Sequence, residues 1–252
     1  AGGLFGSISI SSMGSANVHV THAGLSSVSI DGARYMGGLV GYSDVGEHSN
    51  AAIDIRESSF EGSVALGCAD NSAIGGVMGA LAADMNGTNS VAVSGTGVKA
   101  TIGSATPCAT PPSTMSVGGL IGEGYGDEYD GAVNISAKDN FIIGSILVPN
   151  GQTSSIGYLV GAEKIGTSST LIDNYYYGST GDAAVVGIGS MSQAEWNAGM
   201  VSGNFLSYNN FRNDNGGKLT ATGTLDYRWT QKSVVNGTNV YANGILEIGR
   251  AS

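Results

Sequence analysis

The sequence predicts an all-β protein, a β-solenoid of about five coils with a small C-terminal α+β cap. Three observations predict it. A Gly-Gly-Leu-x-Gly unit recurs five times within residues 1–189 of the 252-residue chain, and apolar residues keep step with it. The composition also suits short strands joined by tight turns. Glycine contributes 42 residues, about two to three times its usual share near 7%. Charged residues make up 12%, against a usual figure of about 25%. An apolar fraction of 41% without long apolar runs fits half-buried strands, with Gly and Ser at their turns.

The five copies are Gly2-Gly3-Leu4-Phe5-Gly6, Gly37-Gly38-Leu39-Val40-Gly41, Gly75-Gly76-Val77-Met78-Gly79, Gly118-Gly119-Leu120-Ile121-Gly122 and the variant Gly157-Tyr158-Leu159-Val160-Gly161. Fourteen or fifteen residues after the glycine that precedes each apolar pair come Val18, Ile53, Val91, Val133 and Leu171. Most are followed two residues later by another β-branched residue: Val20, Ile55, Val93 and Ile135. That alternation marks a strand with one buried face. At twenty-two residues come Leu25, Phe60, Val98 and Phe141, the start of a third strand. Each unit therefore supplies about three strands and buries its apolar face only by stacking on its neighbours, at about 4.8 Å per coil. The motif glycines allow a sharp corner and close approach of backbones. The rival is a β-sandwich of short strands, which does not demand register across five units.

Together these motifs resemble the GLUG repeat of large secreted and cell-surface proteins of bacteria and other microbes. The resemblance implies a parallel β-helix at a cell surface, with an adhesive or scaffolding role, and it brings no catalytic residues with it. From residue 190 the pattern changes. Ser190 to Gly199 has N-cap serines, an early acid and a glycine stop, the signature of a short helix. Alternating segments around Leu225–Trp229 and Asn239–Tyr241 follow, and residues 190–252 form the expected cap. The first coil has no cap of its own, so it is expected either to continue a larger solenoid or to dock on another molecule. Head-to-tail self-association through it would generate an extracellular filament.

The net charge of −10 argues against nucleic acid as a partner, since phosphate contacts need Lys and Arg. Before residue 200 the only cations are Arg34, Arg56, Lys99, Lys138 and Lys164. No apolar run approaches the length of a membrane helix, so no transmembrane segment is expected.

Four groups of residues invite chemistry. Cys68 and Cys108 follow the reference glycines of adjacent units by 30 and 32 residues. Adjacent coils would place them on one corner, where a disulfide is feasible in an oxidising compartment; the alternative is two isolated thiols. Glu123, Asp127, Glu128 and Asp130 crowd one loop, with Asp44, Glu47, Asp84 and Glu163 in the corresponding loops of other units. Such an acidic edge is either a site for Ca²⁺, a cation that takes oxygen ligands, or a solvated surface. The run matches neither an EF-hand nor a nonapeptide calcium repeat. His19, His22 and His48 lack further zinc ligands and are assigned to the surface. Tyr175, Tyr176 and Tyr177 follow the fifth unit, and Tyr42, Tyr125 and Tyr129 are assigned to loops; they serve either packing or glycan contact. No G-x-S-x-G, P-loop or H-E-x-x-H is present, so the chain is not read as an enzyme. The leading expectation is a structural or adhesive segment of a secreted or cell-surface protein, with protein or glycan partners. The alternatives are a glycan-binding or carbohydrate-active β-helix, marked by a cleft joining the acids to Lys138 or Arg56, and a filament subunit.

Overall fold

A computed structural model describes residues 1–179 except 12, 33, 66–67, 105–113, 139, 148–153 and 173. The described residues contain strands, turns and no helix. Their strands, numbered in chain order, form four sheets. The first sheet is β1 (Phe5–Ile10), β5 (Val40–Val45), β9 (Met78–Ala83), β13 (Ile121–Gly126) and β17 (Val160–Glu163). The second is β2 (Ser15–Thr21), β6 (Asn50–Arg56), β10 (Thr88–Ser94), β14 (Ala132–Lys138) and β18 (Thr167–Ile172). The third is β3 (Gly24–Ile30), β7 (Ser59–Val64), β11 (Gly97–Gly103), β15 (Phe141–Leu147) and β19 (Tyr175–Ser179). The fourth, of short strands, is β4 (Tyr35–Gly37), β8 (Ser72–Gly75), β12 (Met115–Gly118) and β16 (Ser154–Gly157).

Every strand pair is parallel, and each strand lies beside its counterpart one turn away. The described residues form a parallel β-solenoid of four turns plus three strands of a fifth. A sandwich of antiparallel hairpins is excluded. Each turn has four strands rather than three, because the motif breaks one extended stretch into the ends of two sheets. The leucine carbonyl at this corner accepts two N–H groups from the coil before it. Leu39 O receives Leu4 N and Phe5 N at 2.9 and 3.1 Å, and Val77 O receives Leu39 N and Val40 N at 3.0 and 2.9 Å. Leu120 and Leu159 repeat the arrangement.

The motif glycines are set by how close the coils come. A Cβ on Gly38 would fall within 2.6 Å of the Phe60 ring and would collide with the Gly76 carbonyl; one on Gly119 would collide with the Tyr158 carbonyl. The second motif position thus points at the coil that follows. Tyr158 belongs to the last described coil, which explains how the variant motif carries a side chain there.

Inward side chains stack in columns. Val18, Ile53, Val91, Ile135 and Ser169 form one rank of the second sheet, and Val20, Ile55, Val93, Ala137 and Leu171 form another. Leu25, Phe60, Val98 and Ile142 stack in the third sheet. Several expected positions move. The counterpart of Val91 is Ile135, not Val133, and that of Val93 is Ala137, not Ile135; Ser169 rather than Leu171 continues the Val18 rank, and the counterpart of Val98 is Ile142, not Phe141. The corner of residues 127–131 is longer than that of 84–87, and a count anchored on the motif does not register the difference. Each aliphatic side chain buried in these columns contributes on the order of 1.5–3 kcal/mol. The expected cap at residues 190–252, including the Ser190–Gly199 helix, lies outside the described residues.

Candidate functional site

The bend at the motif turns the outer faces of the fourth and first sheets toward each other. Across this seam Tyr35 stacks on Tyr42, with ring centroids 4.5 Å apart and planes 18° from parallel. The Arg34 guanidinium lies 5.7 Å from the Tyr35 ring centroid. Tyr42 donates its hydroxyl proton to Asp44 Oδ1 at 3.2 Å. Two coils on, the register that placed Tyr35 and Tyr42 places Ser116 and Glu123, which hydrogen-bond at 3.0 Å. Lys164 Nζ pairs with Glu123 Oε2 at 2.7 Å. The coil between them supplies Ala73 and Ala80 at these positions, both buried. Burial raises the Tyr35 and Tyr42 hydroxyls above the ordinary tyrosine value, Tyr42 well above it; Glu123 adds to the effect at Tyr35 while Arg34 opposes it, and Asp44 adds to it at Tyr42. Burial also raises the Asp44 carboxyl, with the Tyr42 hydrogen bond pulling the other way.

The four loop acids play different parts. Glu123 is on β13, buried and committed to Lys164 and Ser116. Asp127 closes its own turn, its Oδ1 accepting the Tyr129 and Gly131 N–H groups at 3.0 Å each. Glu128 and Asp130 are exposed, and Asp130 takes a left-handed turn conformation. Among the described residues no three His, Cys, Asp or Glu side chains gather closely enough to hold a metal ion. As placed, Glu123 faces the Lys164 cation and Asp127 Oδ1 is engaged by its own turn's backbone. Of the related acids, Asp44 lies on β5, Glu47 and Asp84 are exposed corner residues, and Glu163 ends β17.

The histidines are explained by local structure. His22 and His48 sit at corners with φ of 54° and 52°. His22 meets Glu57 of the next coil at 2.7 Å, and His19 on β2 lies 3.4 Å from Asp54. Tyr42 and Tyr125 belong to strands rather than loops; Tyr125 and Tyr129 are exposed. The side chains of Tyr175–Tyr177 lie outside the described residues. Cys68 is exposed between β7 and β8, and Cys108 lies outside the described residues.

Among the described residues, shallow grooves lie on the sides of the rod. One, of about 450 Å³, crosses the second sheet; Ala52, Ala92 and Ser136 are among its lining residues, with His19, Asp54 and Arg56 at one end. Arg56 Nε binds Asp54 Oδ1 at 2.7 Å. Along the same face Ser168 Oγ donates to Asn134 Oδ1 at 3.1 Å. Lys138 is in register with Arg56 two coils away. Another groove, of about 400 Å³, crosses the third sheet beside the Lys99–Glu61 ion pair of 2.9 Å.

No family model, curated protein or solved structure matches the chain. Among the described residues no helix is long and apolar enough to cross a membrane. Sequence reasoning missed the seam, because Tyr35, Tyr42 and Glu123 meet only through the bend. The seven-residue offset shared by Tyr35/Tyr42 and Ser116/Glu123 is the signal that could have found it.

Proposed function

We propose that this chain is a structural or adhesive segment of an extracellular or cell-surface protein of the GLUG-repeat kind. The supporting observation is the uninterrupted parallel stack, in which the motif residues Leu39, Val77 and Leu120 are wholly buried and serve the architecture. A rod of this kind holds its lateral faces at fixed spacing and presents them to a partner. The reading assigns it no catalysis. A Cys68–Cys108 disulfide belongs to the same reading: both cysteines fall in the connection between the third and fourth sheets, in adjacent coils. Intact mass before and after reduction is expected to differ by two hydrogens. An unchanged mass would remove the disulfide and the oxidising address with it.

Beads coated with the chain are the direct test of adhesion. Retention on a panel of cells and extracellular matrices, above that of beads carrying an unrelated β-solenoid, is expected. Equal retention on every surface would leave scaffolding alone.

A second reading, glycan binding, is favoured by the groove on the second sheet, which sets Arg56 and Asp54 beside a ladder of Ser and Asn groups. The acids near it are not Glu123 to Asp130, so the cleft differs from the one the sequence suggested. On a glycan array, binding that falls at least tenfold in Arg56→Ala supports this reading; an array without signal removes it.

A further inference from the structure

We propose that the outer face of the second sheet is a docking site for an acidic polysaccharide, whose carboxylates are met by Arg56 and Lys138 and whose hydroxyls are met by the Ser and Asn groups beside them. The inference rests on the glycan-binding reading of this groove and names the class of glycan.

The distribution of charge among the sheets carries it. The chain has a net charge of −10, yet the strands of the second sheet hold two cations, Arg56 and Lys138, against one acid, Asp54. The third sheet balances Lys99 with Glu61, the first holds only the acids Asp44, Glu123 and Glu163, and the fourth holds no charge. Among the described residues the second sheet is therefore the one with a net positive charge, the sign that draws an anionic chain to it.

Both cations are open to a ligand. Asp54 engages Arg56 through Nε, and the Arg56 side chain is 62% exposed. Its terminal N–H groups are left for the paired bonds that a carboxylate accepts. Lys138 is exposed and forms no ion pair among the described residues. The two share one outward rank with Ser94 between them, so about 10 Å of rod axis separates their backbones. In a β-1,4-linked uronate chain alternate rings are flipped, and the carboxylates on one side recur at every second sugar, a similar interval. The groove runs beside this rank over the small side chains of Ala52 and Ala92. On its far side Ser90, Asn134 and Ser168 stand in register, a row of hydroxyl and amide groups repeating at the strand spacing. A polysaccharide laid along the rod thus meets cations on one side and neutral hydrogen-bonding groups on the other.

Titration of the 252-residue chain with three polymers tests the inference: a β-1,4-linked polymannuronate, the same polymer after its carboxyls are reduced to alcohols, and polyglutamate. The polymannuronate is expected to bind at least tenfold more tightly than either of the others, and more weakly as salt is added. Arg56→Gln and, separately, Lys138→Gln are each expected to weaken that binding at least fivefold with an unchanged far-UV spectrum, while Lys99→Gln on the third sheet leaves it unaltered. Equal binding of the reduced polymer overturns the proposal and leaves the glycan reading standing. Equal binding of polyglutamate overturns it in favour of a surface for any polyanion, and polymannuronate binding indifferent to both glutamine variants places the site elsewhere. If none of the three binds, the proposal fails, and a silent glycan array beside that result removes the underlying reading as well.

Discussion

Met13, His48, Asn86 and Asp130 occupy one place in four successive coils, two residues before a strand of the second sheet, and all have φ between 52° and 65°. His22, Glu57 and Gly95 take the same left-handed conformation at the next corner, with φ of 54°, 45° and 57°. The left-handed conformation costs a residue with a Cβ about 1–2 kcal/mol, so His48→Gly is expected to stabilise the chain by roughly 0.5–1 kcal/mol in chemical denaturation. At the motif the reverse holds. Gly38→Ala drives a methyl into the Phe60 ring and the Gly76 carbonyl and is expected to cost about 3 kcal/mol. Gly6→Ala, whose Cβ meets nothing within 4 Å, serves as its control. The tyrosine seam adds a pH dependence. Unfolded tyrosine ionises near 10, and folded Tyr42 is held above that value, first by burial and then by Asp44. Its contribution is therefore complete below about pH 10 and lost as the pH rises from there toward the folded value. Tyr42→Phe is expected to flatten this alkaline loss in a pH series of denaturation midpoints. The glycines were legible in the sequence because they recur; the turn role of His48 was not, since four unlike residues share one backbone conformation.

Between the second and third sheets the corner is held by a ladder of polar side chains. The Ser58 hydroxyl accepts Ala23 N, Asn140 Oδ1 accepts Thr96 N at 3.0 Å, and Asn174 Oδ1 accepts Asn140 N at 3.1 Å. Asn140 Nδ2 also donates to Val93 O, and Asn174 Nδ2 to Ala137 O, both at 2.8 Å. Each side chain bonds the backbone of the coil before it, so the rungs cannot slip past one another without leaving buried groups unpaired. Asn140→Ala strands Thr96 N and Val93 O and is expected to cost about 2 kcal/mol, read as a lowered denaturation midpoint with an unchanged slope. Strands of the second and third sheets could be read from alternation, because one face is apolar and the other polar. The fourth sheet could not. Ser72–Gly75 and Met115–Gly118 are buried throughout and only four residues long, so neither alternation nor length sets them apart.

For the molecule as a whole, stability is a sum over coils and the contacts between neighbours. Phe60→Ala, in a coil covered on both sides, is expected to cost about 3–5 kcal/mol, whereas Leu25→Ala, at a half-buried position of the same column, costs less than half of that. Hydrogen exchange is expected to be slowest in β10 and fastest in β1 to β3. The repeat and its approximate count of turns were visible before the structure, because stacking imposes the same demand at each motif. The lateral grooves were not, since they depend on which residues neighbouring coils bring together on one outer face. Variation in repeat length is also unevenly shared. The connections at 22–23, 57–58 and 95–96 have one length, as do the motif bends, while those between the third and fourth sheets run over 31–34, 65–71, 104–114 and 148–153. One edge of the rod has thus absorbed nearly all the insertions and deletions the register permits. A foreign peptide spliced into that edge would travel on a ruler graduated by coils, and several epitopes could be mounted there at fixed intervals along one line.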